Sequence, residues 1–315
     1  MASHNRQKSG VLAALLSASF LGLAPVFGRM AIIGGFSPLA VVALRTSLAA
    51  VLMFIVLAVF RRQFLYIFPV GFVGCFLAGA INGFGSILYY LALGQLPASL
   101  GQLLYALYPL FVAVFSFLDQ QPVSRLTMIR VIVAALAVFL LTYANGVNAP
   151  ITAVLMMIGS AALYALHIPI NQRVLYEIPA PTVTLYTLLA MSLVTVPFYL
   201  IFDRQLPASG VTWWPVLLLT FVTFASRLTL FLGIKNIGGM QAAILGLAEL
   251  FITIIISHYL LGEVLTFGQM LGAGILGISI TMVALEKQDP TKRHPKGGWL
   301  AWIHPPEIKP WSLQD

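Results

Sequence analysis

The residues best suited to chemistry in this sequence are a few ionisable side chains inside long apolar stretches. Glu249, Arg227 and His167 each stand in a different stretch of this kind. A charge inside a hydrocarbon layer is costly unless it pairs or faces a water-filled cavity, so such residues are functional candidates. A lone histidine more often makes a helix–helix contact, but polar residues surround His167. The three residues therefore predict a buried polar site.

Other polar residues recur at steps of three or four, which puts them on one face of a helix. Asn82, Ser86 and Tyr89 share such a face, and Tyr164 lies on the same face as His167. Serine and threonine stripes can instead bond their own backbone, and tyrosines can simply pack. The predicted substrate-binding residues are Asn82, Ser86, Tyr89, Gln102, Tyr105, Tyr164, His167, Asn171, Thr223, Arg227 and Glu249.

We predict that Arg227 and Glu249 face each other across the site. At 1.5 Å per helical residue they lie at similar depth, about 12 and about 15 Å from the same surface. A proton on Glu249 would release the pair and couple binding to pH. Arg45 lies nearer a helix end, so we expect it to snorkel to the surface and to serve the structure. His258 is expected to matter little.

Catalytic and cofactor motifs are missing from the sequence. His167 and His258 stand alone in their segments, no glycine-rich lysine motif could cradle a phosphate, and Cys75 is the single cysteine. We therefore predict no catalytic residue, no metal site and no cofactor, and no ATP-driven pump within this chain. An intramembrane enzyme stays the alternative from a different functional class.

The elements that carry these residues are membrane spans. Residues of the set AVILMFWYC make up 60% of the 315 residues and charged residues only 8%, against roughly a quarter in soluble domains. Runs of about 20 apolar residues suffice to cross a bilayer. We predict ten such spans: Val11–Ile33, Pro38–Phe60, Pro69–Leu93, Ala98–Leu118, Leu126–Ala144, Ile151–Leu175, Val183–Phe202, Trp213–Ile234, Met240–Leu261 and Leu265–Leu285. The first is too long for the apolar region of a signal peptide, which is its alternative reading.

The cations predict the orientation. With the N-terminus in the cytoplasm, thirteen of the seventeen Lys and Arg residues fall on the cytoplasmic side and only Arg204 falls in an outer loop. This bias places both termini in the cytoplasm. It also explains the net charge of +8 without a nucleic-acid partner.

The two halves of the chain repeat each other. A shift of 144 residues brings Pro25 onto Pro169 and Arg29 onto Arg173, and a shift of 141 brings Asn82 onto Thr223. Five spans in each half is an odd number, so the halves must be inverted. We predict an all-α integral membrane protein with a repeat over residues 1–147, a second over 148–286, and a basic cytoplasmic tail rich in Pro and Trp over 287–315.

Two segments resemble a known family. The stretch 87–118, ILYYLALGQLPASLGQLLYALYPLFVAVFSFL, is similar to the third and fourth helices of the drug/metabolite transporter superfamily, EamA-type ten-helix branch. The stretch 259–277, YLLGEVLTFGQMLGAGILG, resembles the Gly-Glu motif that opens the last helix of that branch. Two departures stand out: Gln120-Gln121 at the first-half counterpart of Gly262-Glu263, and Glu249-Leu250 where Glu-Pro is often found. The resemblance implies a central cavity, cytoplasmic termini and alternating access.

These observations predict a secondary transporter of the inner or plasma membrane that exports a small organic metabolite, such as an amino acid, a nucleobase or a drug-like compound. The expected partners are that substrate, the lipid bilayer, and a coupling proton or counter-substrate. We expect a monomer, because two halves in one chain already supply the pseudo-symmetric partner. The alternative within this fold is a carrier of nucleotide sugars or lipid-linked substrates, which would need several cations in the cavity.

Overall fold

The structure is a computed structural model that describes residues 2–119, 150–205, 207 and 210–263, together with residues 129, 132–133, 267, 271, 274–275 and 300. The regular elements of this part of the chain are all helices. Their bounds are α1 Ala2–Ile33, α2 Pro38–Phe60, α3 Pro69–Leu93, α4 Ala98–Tyr105, α5 Tyr108–Leu118, α6 Ile151–Glu177, α7 Ala180–Phe202, α8 Trp214–Ile237, α9 Gly239–Gly246 and α10 Ala248–Leu261, with one turn of 3₁₀ helix at Arg62–Leu65.

Short turns separate the helices where the sequence carries turn residues. Ser37 caps α2, because its hydroxyl accepts from the Ala40 N–H at 3.0 Å and Pro38 follows at the first helical position. Gly238 ends α8 with φ of 88° and Gly262 ends α10 with φ of 65°, a backbone conformation that glycine adopts without steric cost. The predicted breaks at Gly238-Gly239 and Gly262-Glu263 are therefore confirmed.

Two spans that the sequence predicts as continuous helices are broken in the middle. The span Ala98–Leu118 divides into α4 and α5 at Ala106 and Leu107, and the span Met240–Leu261 divides into α9 and α10 at Leu247. The positions 106 and 247 differ by 141, which is one of the two shifts that relate the halves of the sequence. Discontinuous helices at equivalent positions are a recurring feature of inverted-repeat transporters.

Equivalent helices of the two halves run in opposite directions. Arg29, at the end of α1, donates to the carbonyl oxygens of Leu93 and Gly94 at 2.7 and 2.9 Å, so α1 and α3 end at one surface, which we call the Arg29 end. Arg173, near the end of α6, binds Asp119 at 2.9 Å, so α6 and α5 end at the opposite surface, the Arg173 end. The equivalent helices α1 and α6 thus point to opposite ends of the bundle.

The halves pack through one another. The most extensive contacts between helices are those of α1 with α8 and of α3 with α6. Each of these pairs joins the two halves. Glycines permit the closest approaches: a Cβ on Gly22 would lie 2.5 Å from the Glu249 carbonyl oxygen, and one on Gly79 would lie 2.6 Å from the Thr187 carbonyl oxygen. Small residues serve this purpose in membrane bundles, where backbone contact replaces hydrophobic burial as the source of stability.

Eight spans of the described residues are long and apolar enough to cross a bilayer. They coincide with eight of the ten predicted spans, when α4 and α5, and likewise α9 and α10, are each taken as one span. The all-helical prediction is confirmed for this part of the chain. The predicted spans Leu126–Ala144 and Leu265–Leu285 lie outside the described residues, as does the tail except Leu300, whose N–H donates to the Asp119 carboxylate at 3.1 Å.

Candidate binding cavity

A polar cavity lies within the bundle, where both broken spans meet helices of both halves. The space between its wall atoms amounts to about 420 Å³, including the cavity mouth. The lining residues come from α1, α2, α3, α4, α6, α8 and α10: Leu21, Ala24, Pro25, Arg45, Ser86, Tyr89, Tyr90, Gln102, Tyr105, Ser160, Tyr164, Arg227 and Glu249.

Two neutral acceptors hold Arg227, which is 4% exposed. The amide of Asn82, oriented so that its oxygen faces the guanidinium, accepts from Nη2 at 2.8 Å and from Nη1 at 2.9 Å. His167 Nε2 lies 3.3 Å from Nη1. Because a guanidinium can only donate, Nε2 must be the unprotonated nitrogen, and Nδ1 carries the proton that bonds the Tyr164 carbonyl oxygen. His167 is therefore neutral in this arrangement.

Arg45 is a second buried cation of the cavity wall, at 7% exposure. Its Nη2 donates to Ser86 at 3.0 Å and its Nη1 to Thr223 at 3.3 Å. Its Cζ lies 4.6 Å from the ring centre of Tyr90, within the range of a cation–π contact. The prediction that Arg45 reaches the membrane surface is wrong, because these partners hold the side chain inside the bundle.

A group of five tyrosines forms one side of the cavity and the layer behind it. We call this group, comprising Tyr89, Tyr90, Tyr105, Tyr108 and Tyr164, the tyrosine cluster. Ring centres within it are 5.0 Å apart for Tyr89 and Tyr105 and 5.3 Å apart for Tyr105 and Tyr164, distances typical of interacting aromatic pairs. Tyr108 belongs to the layer behind the cavity wall. Its hydroxyl donates to the Ala243 carbonyl oxygen at 2.8 Å, and this bond joins α5 to α9.

Glu249 supplies a carboxyl group at the start of α10. It is 2% exposed, and its Oε1 atom has no hydrogen-bond partner among the described residues. Its position in the first turn, directly after the break at Leu247, brings it near the positive end of the α10 dipole. Arg227 and Glu249 line the same cavity, as predicted, but they form no ion pair within 4 Å. The predicted direct charge pair is wrong, since Asn82 and His167 occupy the guanidinium instead.

The other predicted site residues take two kinds of position. Ser86, Tyr89, Gln102, Tyr105 and Tyr164 line the cavity together with Arg227 and Glu249. Asn82, His167 and Thr223 lie behind the wall and orient the two arginines. Asn171 bonds the His167 carbonyl oxygen at 3.0 Å and is the farthest removed. The binding roles of all eleven residues stay predictions.

Sequence reasoning left Arg45, Tyr90, Ser160 and three residues of α1 out of the candidate site. The signal for Arg45 was present: a cation inside an apolar span is the same signal that identified Arg227. Its short distance to the helix end suggested that the side chain could reach the membrane surface, but the packing of the helices holds it inside the bundle. The α1 residues Leu21, Ala24 and Pro25 carry no polar signal, and only the packing of α1 brings them to the cavity.

Polar contacts between the halves close the bundle at both ends. At the Arg29 end, the Glu263 carboxylate accepts from the N–H groups of Ala98 and Ser99 at 2.8 and 2.9 Å and so caps α4. At the Arg173 end, Arg173 of the second half binds Asp119 of the first half at 2.9 Å. Within the second half, the side-chain oxygen of Gln172 accepts from the Gly239 N–H at 2.7 Å and caps α9. Each broken span is thus capped at its beginning by a side chain from another part of the chain, Glu263 for α4 and Gln172 for α9.

The chain was compared with known proteins at the levels of sequence and structure. The model of the EamA-like transporter family matches residues 8–143 and again residues 151–285, one copy in each half. One crystal structure of a protein superimposes with a TM-score of 0.68 at 18% identity, and the match covers 90% of this chain and 96% of the other. At that identity the likeness concerns the fold alone. No curated protein gives a significant match.

Proposed function

The chain belongs to the EamA-like transporter family, and on that premise we propose that it is a secondary transporter that exports a small organic metabolite by alternating access around the cavity. One observation carries this proposal. Both halves supply the wall of a buried polar cavity, and the cavity lies where the two broken spans meet. Substrate sites of inverted-repeat transporters occupy this position.

The end contacts support alternating access. Glu263 of the second half fastens the start of α4 at the Arg29 end, and Arg173 of the second half binds Asp119 of the first half at the Arg173 end. Both contacts join one half to the other, so a rocking motion of the halves would break one set while it preserves the other. The proposed cycle opens these two ends in turn and exposes the cavity to one side at a time.

The proposed setting is the inner or plasma membrane, with ten spans, a monomeric chain and both termini in the cytoplasm. Of the cations that the structure describes, Arg61, Arg62, Arg173 and Lys235 lie at the Arg173 end, whereas Arg29 and Arg204 lie at the opposite end. By the positive-inside rule, this difference supports a cytoplasmic location of the Arg173 end.

We propose further that Glu249 takes part in coupling. It is the acidic residue of the cavity wall, and Arg45, Arg227 and four tyrosines share that wall with it. A carboxyl group in a buried cavity binds either a proton or a cationic group of a substrate, and the binding of one displaces the other. Proton exchange at Glu249 would link substrate release to the proton gradient.

A carrier of nucleotide sugars or lipid-linked substrates is the second candidate. The sequence alone indicated one cation for its cavity, and the burial of Arg45 adds a second. Two guanidinium groups, those of Arg45 and Arg227, now line the cavity, and phosphates bind arginines well. The Glu249 carboxylate opposes this candidate, because it would repel a diphosphate in the same space.

The test has two parts. Cells that overexpress the protein are screened for resistance to toxic metabolite analogues, and the purified chain in liposomes is assayed for counterflow of the compounds found. We expect resistance with the native chain and none with Glu249→Gln, whose melting temperature stays close to native because the swap preserves shape. Normal counterflow by Glu249→Gln at every pH would refute the coupling role. If a strain that lacks this protein still exports the compounds, and the export is due to another protein, the transport function is refuted.

A further inference from the structure

The cavity wall carries polar atoms that the protein itself leaves without a partner. Four buried side-chain atoms of the described residues lack any hydrogen bond: Arg45 Nε, Tyr90 Oη, Glu249 Oε1 and Asn171 Oδ1. Three of the four belong to residues that line the cavity. An unpaired buried polar atom is costly and rare in native proteins. A ligand that supplies the missing partners would therefore bind preferentially here.

The unpaired atoms differ in what they require. Arg45 Nε is a cationic donor, and its two Nη groups are taken by the neutral hydroxyls of Ser86 and Thr223, so the cation has no anionic partner there. Glu249 Oε1 is an acceptor and has no donor. A ligand with an oxyanion alone would satisfy Arg45 and face the Glu249 carboxylate. A ligand with a cationic nitrogen alone would satisfy Glu249 and leave two arginines without an anion.

The tyrosine cluster restricts the remainder of the ligand. Tyr89, Tyr90, Tyr105 and Tyr164 present their rings to the same cavity, and Arg45 lies over one of these rings at 4.6 Å. Such a wall favours a planar group that can stack against it over a branched aliphatic one. The Tyr90 hydroxyl, itself unpaired, adds a polar group to this side.

We propose that the substrate is a small zwitterion, with an oxyanion bound at Arg45, a cationic nitrogen bound at Glu249 and a planar group against the tyrosine cluster. This inference rests on the transport function proposed above and specifies the substrate class of the same cavity. One molecule of zero net charge then supplies an acceptor to Arg45 Nε and a donor to Glu249 Oε1, and it crosses the membrane without work against the membrane potential. Nucleotide sugars lack the cationic nitrogen and do not fit.

The test compares the binding of matched probes to the purified full-length protein in detergent, measured as thermal stabilisation. The probes are the individual amino acids, each with its amine analogue without the carboxylate and its acid analogue without the nitrogen; phenylalanine, phenethylamine and 3-phenylpropionate form one such set. We expect at least one zwitterion to bind about tenfold more tightly than both of its analogues, since each analogue leaves a buried charge unpaired.

The variants assign each charge to its residue. In Glu249→Gln the zwitterion should lose its advantage over the acid analogue, and in Arg45→Gln it should lose its advantage over the amine. His258→Ala, outside the cavity and exposed, should keep both preferences. If every zwitterion binds no better than its analogues, or if the exported compound carries only one charge, the zwitterion inference is overturned while the transport function stands. Absence of counterflow for the whole cellular metabolite pool would overturn the transport function as well.

Discussion

Arg227 illustrates how a bare charge is accommodated in the membrane interior. The guanidinium binds the neutral acceptors Asn82 and His167 instead of a carboxylate, and its Cζ lies 5.5 Å from the ring centre of Tyr164. Neutral partners reduce the cost of burial without cancelling the charge. The cation therefore keeps its electrostatic field within the cavity, where an anionic group of a ligand can use it.

His167 orients this cation, so its loss should affect both stability and function. We expect His167→Ala to lower the free energy of unfolding by about 1–3 kcal/mol, because a buried donor of Arg227 loses its acceptor, and to weaken counterflow. Thermal unfolding and counterflow of the purified protein provide the measurement.

His258→Ala serves as the control for His167. That histidine is exposed, its Nδ1 lies 2.8 Å from the Glu263 backbone oxygen, and its ring packs against Tyr259. For such a surface position we expect changes within about 0.5 kcal/mol. Equal effects of the two substitutions would contradict a special role for His167.

At the scale of elements, the broken spans place backbone ends and side chains in the membrane interior. The break at Leu247 puts Glu249 at a helix start, and the break at Ala106 and Leu107 lets Tyr105 line the cavity while Tyr108 binds α9. The beginnings of both spans are held by side chains from other parts of the chain, Glu263 for α4 and Gln172 for α9. The Gly-Glu motif identified in the sequence has a concrete role here, because Glu263 caps α4 with two backbone hydrogen bonds.

We expect Glu263→Ala to loosen the Arg29 end. A lost cap costs about 1–2 kcal/mol, which corresponds to a roughly tenfold larger population of the form open at that end. A single cysteine at Ala24, introduced in a Cys75→Ser background, would report this as faster labelling by an impermeant maleimide added on the Arg29 side.

Glu177→Ala is the matched control, because Glu177 is an exposed acid at the opposite end of the bundle. Its labelling rate should stay near that of the parent. Unchanged labelling in Glu263→Ala would mean that the cap does not hold that end closed.

Close approach of α1 and α10 provides an element-scale test of packing. An added methyl group in Gly22→Ala would lie 2.5 Å from the Glu249 carbonyl oxygen, so the helices must separate at a cost of about 1–3 kcal/mol. The same shift displaces Glu249, and we expect both a lower melting temperature and weaker counterflow.

Gly159→Ala in α6 controls for the loss of a glycine as such. Its added methyl group would lie 3.5 Å from the nearest atom, a side-chain carbon of Leu88, which is ordinary contact. Removal of a helical glycine without a clash should leave the protein as stable or slightly more stable. A comparable destabilisation by both substitutions would argue against close helix contact at Gly22.

The whole molecule is two halves related by inversion that share one cavity. Helices of one half pack along helices of the other, so neither half encloses the cavity alone. The proposed ten spans set one requirement on the topology: because their number is even, the C-terminus must lie on the same side as the N-terminus.

Reporter fusions test this requirement. We expect a fusion at Asp315 to be active as a cytoplasmic reporter, and a fusion after Asn145 to be active as a periplasmic one, because the cation bias puts the Arg173 end inside. A fusion after Arg62 is the internal control for the cytoplasmic side. Periplasmic activity at Asp315 would contradict the ten-span topology.

Much of this architecture follows from the sequence by itself. Apolar length determines where a chain crosses a bilayer, since every backbone group must bond within its own helix there, and the eight described spans agree with that rule. The repeat was visible as Arg29 against Arg173, and these residues bind at opposite ends of the bundle. Helical spacing also identified most of the cavity wall, because polar residues that share a face must face protein or water.

Only the tertiary structure decided what those residues bind. Periodicity gives the direction of a side chain from its own helix, but it does not say which helix lies opposite. Arg45 had been expected to reach the surface, yet Ser86 of α3 and Thr223 of α8 hold it beside the cavity. Glu249 and Arg227 had been expected to pair, yet Asn82 and His167 take the arginine and leave a carboxylate oxygen free. Contacts between distant segments depend on how the two halves pack, and local sequence patterns do not encode that packing.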